Sequence, residues 1–178
     1  SPGRRCASAP PPSPPAMLPA EPDLRGVAAA LGVQAVAYVV IGGFAVIANR
    51  HVRATEDVDV LVPEEPENDR RLAMALRTIG WTGTAGELAG RPHVRAQTDA
   101  GQVDVVREGE PPLDFRSVAA GAIRVEYEGV EVPLAGLASL VAFKRLAGRL
   151  RDRADLEALA EIHGELPLLQ VPGLDEPA

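Results

Sequence analysis

Asp57 and Asp59 are separated by a single valine, and Asp104 stands between Val103 and Val105. In an extended strand, side chains alternate between faces. The carboxylates of Asp57-Val58-Asp59-Val60 therefore project together, while Val58, Val60 and Val62 point the other way. Asp104, with its flanking valines on the opposite face, joins the pair if its strand lies alongside. Three carboxylates on rigid strands supply the hard oxygen ligands that suit Mg²⁺. Two ions held this way flank an in-line displacement at phosphorus. An isolated Asp-x-Asp more often marks an exposed strand edge, so the surrounding residues carry the argument.

The elements that must position these acids can be read outward from them. Asp57 to Val62, ended by Pro63, has the two unlike faces of a half-buried strand. Upstream, the apolar run Ala35 to Ala48 is broken by Gly42-Gly43. It reads as a buried strand from Val36 to Ile41, a glycine turn, and the first turns of a helix. Backbone N–H groups at such a turn can approach a phosphate closely, and a helix start favours negative charge. Asp23 caps a short helix through Leu31 that Gly32 stops. Pro66 to Ile79 is an amphipathic helix with Leu72, Leu76 and Ile79 inward. Val103 to Val106 is a short strand, and Ile123 to Val132 is a hairpin turning at Glu128-Gly129. Helices over Leu137 to Ala147 and Asp152 to His163 follow. The expected class is mixed α/β (α+β), a small mixed sheet with helices packed on it.

Those last helices hold a second set of charged residues. Seventeen of the eighteen bases are arginine, and Lys144 is the single lysine. It falls on the apolar stripe of Leu137, Leu140 and Val141, where a charge requires a partner unless the stem snorkels. Asp152 reads as a helix cap and Asp155 as a first-turn acid favoured by the helix dipole. Arg145, Arg149, Arg151 and Arg153 form the densest basic patch, suited to phosphates or to local ion pairs at a solvated helix end. His51 and Arg53 precede the acidic pair and could border a ligand. His93 and His163 have no metal-ligand spacing and read as structural or surface residues. Tyr38 and Trp81 read as core, and aromatic residues at 3% offer no stacking platform for single strands.

Taken together, Val40-Ile41-Gly42-Gly43, Asp57-Val58-Asp59-Val60 after a thirteen-residue gap, and Val103-Asp104-Val105 resemble the nucleotidyltransferase superfamily of DNA polymerase β-like fold. The stretch from Gly43 through Arg53-Ala54-Thr55-Glu56-Asp57 is similar to the small bacterial toxin members, AbiEii-like and minimal nucleotidyltransferases, and to their antibiotic-modifying cousins. The likeness covers residues 35 to 163. It implies transfer of a nucleoside monophosphate from an NTP to an acceptor, with Mg²⁺, or alternatively Mn²⁺, held by Asp57, Asp59 and Asp104. Asp104 would also help deprotonate the acceptor hydroxyl, and Gly42, Gly43 and Lys144 would hold phosphates. Many members place Ser where this chain has Gly43, and Thr55 is the candidate to supply the missing hydroxyl. Arg53, Asp152 and Asp155 complete the implied nucleotide site, the last two through the family's Lys, then Arg-x-x-Asp-x-x-Asp pattern.

The implied role is that of a toxin with a cognate antitoxin partner, acting on a tRNA 3′ end or a protein. The alternatives are an aminoglycoside-type adenylyltransferase, whose cationic substrate would suit an acidic pocket, and a non-catalytic nucleotide-binding or partner-docking module.

Composition bounds these readings. The chain has 178 residues with 18 Lys+Arg and 25 Asp+Glu, which fits one ordinary domain and excludes an all-over basic coat. The single cysteine, Cys6, excludes an intrachain disulfide scaffold. The longest apolar run falls short of a bilayer span, so no membrane partner is expected. With no charged and apolar leader at the start, a cytoplasmic location is expected. Residues 1–20 hold seven of the seventeen prolines and no acid, and are expected to form a disordered tail. Without them the chain carries 16 bases against 25 acids, a charge of −9. A single domain is expected over 21–170, with a flexible end over 171–178.

Overall fold

A computed structural model gives the architecture of residues 21–175 apart from position 108. The proline-rich tail and the last three residues lie outside the described residues. The elements run α1 (Leu24–Val33), β1 (Val39–Ile41), α2 (Gly42–Ala48), β2 (Asp57–Val62), α3 (Pro66–Thr78), α4 (Ala85–Leu88), β3 (His93–Thr98), β4 (Gly101–Arg107), α5 (Phe115–Ala120), β5 (Ile123–Tyr127), β6 (Val130–Leu134), α6 (Leu137–Ala147) and α7 (Leu150–His163). Six strands form one mixed sheet in the order β3-β4-β2-β1-β6-β5. The pairs β2/β4 and β1/β6 are parallel, and the other neighbours are antiparallel.

The alternation along each strand divides the core in two. Val58, Val60 and Val62 of β2, with Val103 and Val105 of β4, meet Val27 and Leu31 of α1 and Leu72 and Leu76 of α3 on one face. On the other face, Val39, Ile41 and Leu61 meet Val46 of α2, Val118 of α5, Leu140 of α6 and Leu159 of α7. Asp57 and Asp59 share this second face with Leu61. The acids therefore emerge where the sheet's apolar contact with α2 and α6 ends.

Several boundaries differ from those expected. β1 begins at Val39, not Val36, because the Asn68 side chain takes both backbone groups of Ala37, accepting from its N–H at 2.7 Å and donating to its carbonyl at 3.0 Å. α1 is capped by Asp23, whose carboxylate accepts from Gly26 N at 2.9 Å, but it runs past Gly32 to Val33. α7 begins at Leu150. Asp152 is thus its third residue and accepts from Arg149 N at 3.2 Å, instead of standing before the helix as its cap. The segment after residue 170 makes packing contacts as far as position 175. Val171 is buried against Leu113 and Ala142, and Asp175 pairs with Arg145. Among the described residues no helix is long and apolar enough to cross a membrane.

Candidate active site

The parallel pairing of β2 and β4 sets Asp59 directly beside Asp104 and Asp57 beside Gln102. One carboxylate oxygen from each of Asp57, Asp59 and Asp104 falls within 4.8 Å of the others, and Asp104 is buried. Hard oxygens converging this closely are a donor set that can hold a divalent cation. The crowding is also visible in the acids themselves. Burial, followed by the charges of Asp57 and Asp104, pushes the Asp59 carboxyl up to about 7, while Lys144 opposes the rise. Asp57 is raised as well, by burial and then by Asp104. Such a cluster favours a bound cation because a cation removes the mutual repulsion.

Gly42 is the tightest backbone position around this cluster. It has φ +67°, in the left-handed region, and a Cβ there would collide with the Asp59 carboxylate. Gly43 follows a different logic. A side chain at 43 would occupy the space now filled by the Thr55 hydroxyl and bordered by the Arg53 guanidinium. Thr55 Oγ1 itself donates to the Asp57 carbonyl at 3.2 Å. The hydroxyl therefore reaches the glycine turn from the loop before β2.

A cavity of about 300 Å³ opens over the acids. Asp57, Asp59 and Asp104 lie on one side, Gly42, Gly43 and Thr55 form a narrow edge, and Arg53, Arg95, Lys144, Arg149 and Arg151 supply the cations. The three acids, the glycine pair, Arg53, Thr55 and Lys144 are all brought together. Asp152 and Asp155 stand behind the lysine instead of lining this cavity. Lys144 is buried, with its ammonium 2.9 Å from Asp152 and 2.8 Å from Asp155. Asp155 also receives Arg53, at 2.8 Å to Nε and 3.0 Å to Nη2, and His51 lies 4.0 Å away. Burial pushes the Asp152 carboxyl up, but bonds from Arg149 and Lys144 reverse this and hold it below the usual carboxylate range. The lysine's required partner is thus a pair of acids on α7, reached through the left-handed Gly148 between the helices.

The expected basic patch divides. Arg149 and Arg151 face the cavity, whereas Arg145 turns away to Asp175 and the Leu169 carbonyl. Arg153 is exposed on α7, outside the cavity lining. His163 is structural, with Nε2 2.7 Å from the Asn49 carbonyl. His93 is not simply a surface residue. It shares β3 with Arg95, and both approach Asp104 Oδ1, at 3.6 Å and 3.4 Å, as does Gln102 Nε2 at 3.1 Å. The sequence reading missed β3 and with it Arg95. The available signal was weak alternation, His93, Arg95 and Gln97 against Val94 and Ala96, closed by a turn at Asp99-Ala100-Gly101.

The fold recurs in solved structures. A Thermotoga maritima structure whose description names a nucleotidyltransferase superposes with a TM-score of 0.52 over 79% of this chain and 91% of that one, at 15% identity. The antibiotic-resistance factor ANT(2″)-Ia, solved with adenylyl-2″-tobramycin, gives 0.55 over 79% and 87%, at 12% identity. An antigenic nucleotidyltransferase-like protein from Paracoccidioides brasiliensis gives 0.54 over 88% and 81%, at 18% identity. The chain has the nucleotidyltransferase fold. No family model and no curated protein matches its sequence.

Proposed function

We propose that the protein is a metal-dependent nucleotidyltransferase that moves a nucleoside monophosphate from an NTP to an acceptor hydroxyl. The observation that carries this reading is the register pairing of Asp59 with Asp104, which gathers three carboxylate oxygens within 4.8 Å beneath a rim of five cations. Asp57, Asp59 and Asp104 would hold Mg²⁺, or alternatively Mn²⁺. When bound, the metal neutralises charge on the triphosphate and activates the phosphorus for attack. Arg53, Lys144, Arg149 and Arg151 would bind the polyphosphate, with Thr55 donating its hydroxyl at the glycine turn. Asp155 keeps Arg53 and Lys144 in place before substrate arrives, so little reorganisation accompanies binding. In the transfer, the acceptor oxygen bonds to the α-phosphorus as the bond to the bridging oxygen of pyrophosphate breaks. The bonding pair leaves with pyrophosphate, and the hydroxyl proton passes to the Asp104 carboxylate.

The finer reading is a cytoplasmic toxin acting on an RNA such as a tRNA 3′ end, with an antitoxin partner. The cationic rim supports a polyanionic acceptor, and the residues from Gly43 to Asp59 support the toxin subclass. A second reading, an aminoglycoside adenylyltransferase, is favoured by the likeness to ANT(2″)-Ia. The exposed rim cations Arg95, Arg149 and Arg151 oppose it, since a polycationic substrate would meet them at close range. The Thr55 hydroxyl beside Gly43 supports a catalytic site over a non-catalytic nucleotide-binding module. To test the reading, each α-labelled NTP is incubated with Mg²⁺ and total RNA or total protein. Wild type should transfer label and release pyrophosphate, and Asp57→Asn should transfer none. Wild-type transfer by that variant at saturating Mg²⁺ would refute the assignment.

A further inference from the structure

The edge of the sheet on the side of β1 and β6 is β5, which among the described residues has no strand on its outer side. Ile123 is partly buried there, and Arg124, Val125, Glu126 and Tyr127 are exposed. The hairpin turn fixes which backbone groups face outward. Glu128 and Gly129, at φ +47° and +80°, make a two-residue turn, so Tyr127 and Val130 form a hydrogen-bonded pair. In an antiparallel ladder such pairs alternate with non-hydrogen-bonded ones. Val125 and Ile123 therefore also bond to β6, whereas the N–H and C=O of Arg124 and Glu126 point away from it. Pro133, which lacks an N–H, accordingly stands opposite Arg124. An exposed edge of this kind is a template for another strand. We infer that a second copy of this chain pairs with β5, antiparallel and about a twofold axis through Val125, joining the two sheets into one.

The side chains select that partner and that register. A strand pair must set outward-facing groups against outward-facing groups, so Arg124 and Glu126 of one copy meet Arg124 and Glu126 of the other. Pairing either residue with itself opposes like charges. The register centred on Val125 instead sets Arg124 of each copy against Glu126 of the other, and these pairs exchange main-chain hydrogen bonds. Glu126 already stands directly opposite Glu131 in its own hairpin, while Arg124 reaches Glu131 diagonally at 2.8 Å. The incoming arginine offsets that acid-on-acid repulsion. On the other face of the strand, Val125 is 36% and Tyr127 46% exposed. The same register brings the two Val125 side chains together and sets Tyr127 against Ile123, an aromatic and β-branched cross-strand pair of the stabilising kind. β1 and β6 lie between β5 and the acid-bearing β2, so pairing leaves both acid clusters open, whatever their chemistry.

Sedimentation velocity of the full chain over a concentration series tests this. Wild type should approach twice the chain mass as concentration rises. Arg124→Glu and Glu126→Arg each oppose like charges and should raise the dimer Kd at least about tenfold. The double variant, and an equimolar mixture of the two single variants, restore opposite charges and should recover the dimer. Glu126→Arg also removes the repulsion from Glu131. At dilutions where wild type is monomeric it should unfold no earlier than wild type, which separates dissociation from misfolding. In a Cys6→Ser background, Val125→Cys should form an intermolecular disulfide under mild oxidation. Residues of a non-hydrogen-bonded pair lie about 4.5 Å apart at Cα, within a disulfide's reach.

A wild type that stays monomeric up to about 0.5 mM overturns the inference. So does a dimer that both single variants leave intact, since its interface then lies elsewhere, or a Val125→Cys chain that does not cross-link. Failure of both the mixture and the double variant to recover the dimer refutes the register.

Discussion

Replacing Asp59 by Asn should make the metal-free protein more stable at neutral pH while destroying its proposed activity. Asp59 rises from the ordinary 3.8 to about 7 because burial and the charges of Asp57 and Asp104 disfavour its ionised form. The folded-state pKa lies above the unfolded one, so the contribution to stability is fully present below about pH 4 and is lost as pH climbs through about 7. A rise of about three pH units at about 1.4 kcal/mol each places the loss on the order of 4 kcal/mol. Asp57 is raised too, and the two acids titrate as a pair, so either substitution should remove most of the pH dependence. The assay is urea unfolding in a chelating buffer at a series of pH values. Wild type should lose stability between about pH 4 and 7, and Asp59→Asn and Asp57→Asn should lose much less. Adding Mg²⁺ should stabilise wild type at neutral pH and leave the variants nearly unmoved. Parallel stability curves for wild type and both variants would refute the crowded-carboxylate argument.

Two further outcomes follow from the residues around the acids. Lys144→Met should cost about 3 kcal/mol in denaturant unfolding and weaken NTP binding, because Asp152 and Asp155 stay buried with only Arg149 and Arg53 to pair them. Unchanged stability and nucleotide affinity would show that the lysine stem, not its charge, matters. Gly43→Ser should lower kcat/KM by displacing the Thr55 hydroxyl from the glycine turn, and adding Thr55→Ala should recover part of the loss. Additive losses in the double variant would show that the two positions do not exchange a hydroxyl.

The acids were legible in the sequence because a strand's alternation is local. Asp57, Asp59 and Asp104 declare their faces through their valine neighbours, and β2 was readable from Asp57 to Val62. What could not be read was lateral. β3 is an exposed edge strand whose polar residues outnumber its apolar ones, so the alternation that betrayed β2 is faint there, and Arg95 and His93 went unplaced beside Asp104. Lys144 visibly lacked a partner on its own helix. Helical periodicity cannot cross Gly148, however, where the chain reverses and brings Asp152 and Asp155 back to the ammonium. The basic patch divides for a related reason. Arg145 belongs to α6 and turns to the C-terminal segment, whereas Arg149 and Arg151 open α7 toward the acids.

The spacing of Asp59 and Asp104 is fixed by a backbone ladder, with six consecutive residue pairs between β2 and β4, and not by the segment that joins those strands. That segment contains α3 and α4, and its connections can lengthen or shorten over generations without moving the carboxylates, provided the β3–β4 hairpin stays intact. A single residue inserted within β2 between Asp57 and Asp59 has the opposite effect. It separates the two acids onto opposite faces of the sheet and drives one of them toward the layer that Val58 and Val60 share with Leu72 and Leu76. Drift in the crossover is therefore tolerated, whereas a change of length inside either of these two strands ends the site in one step.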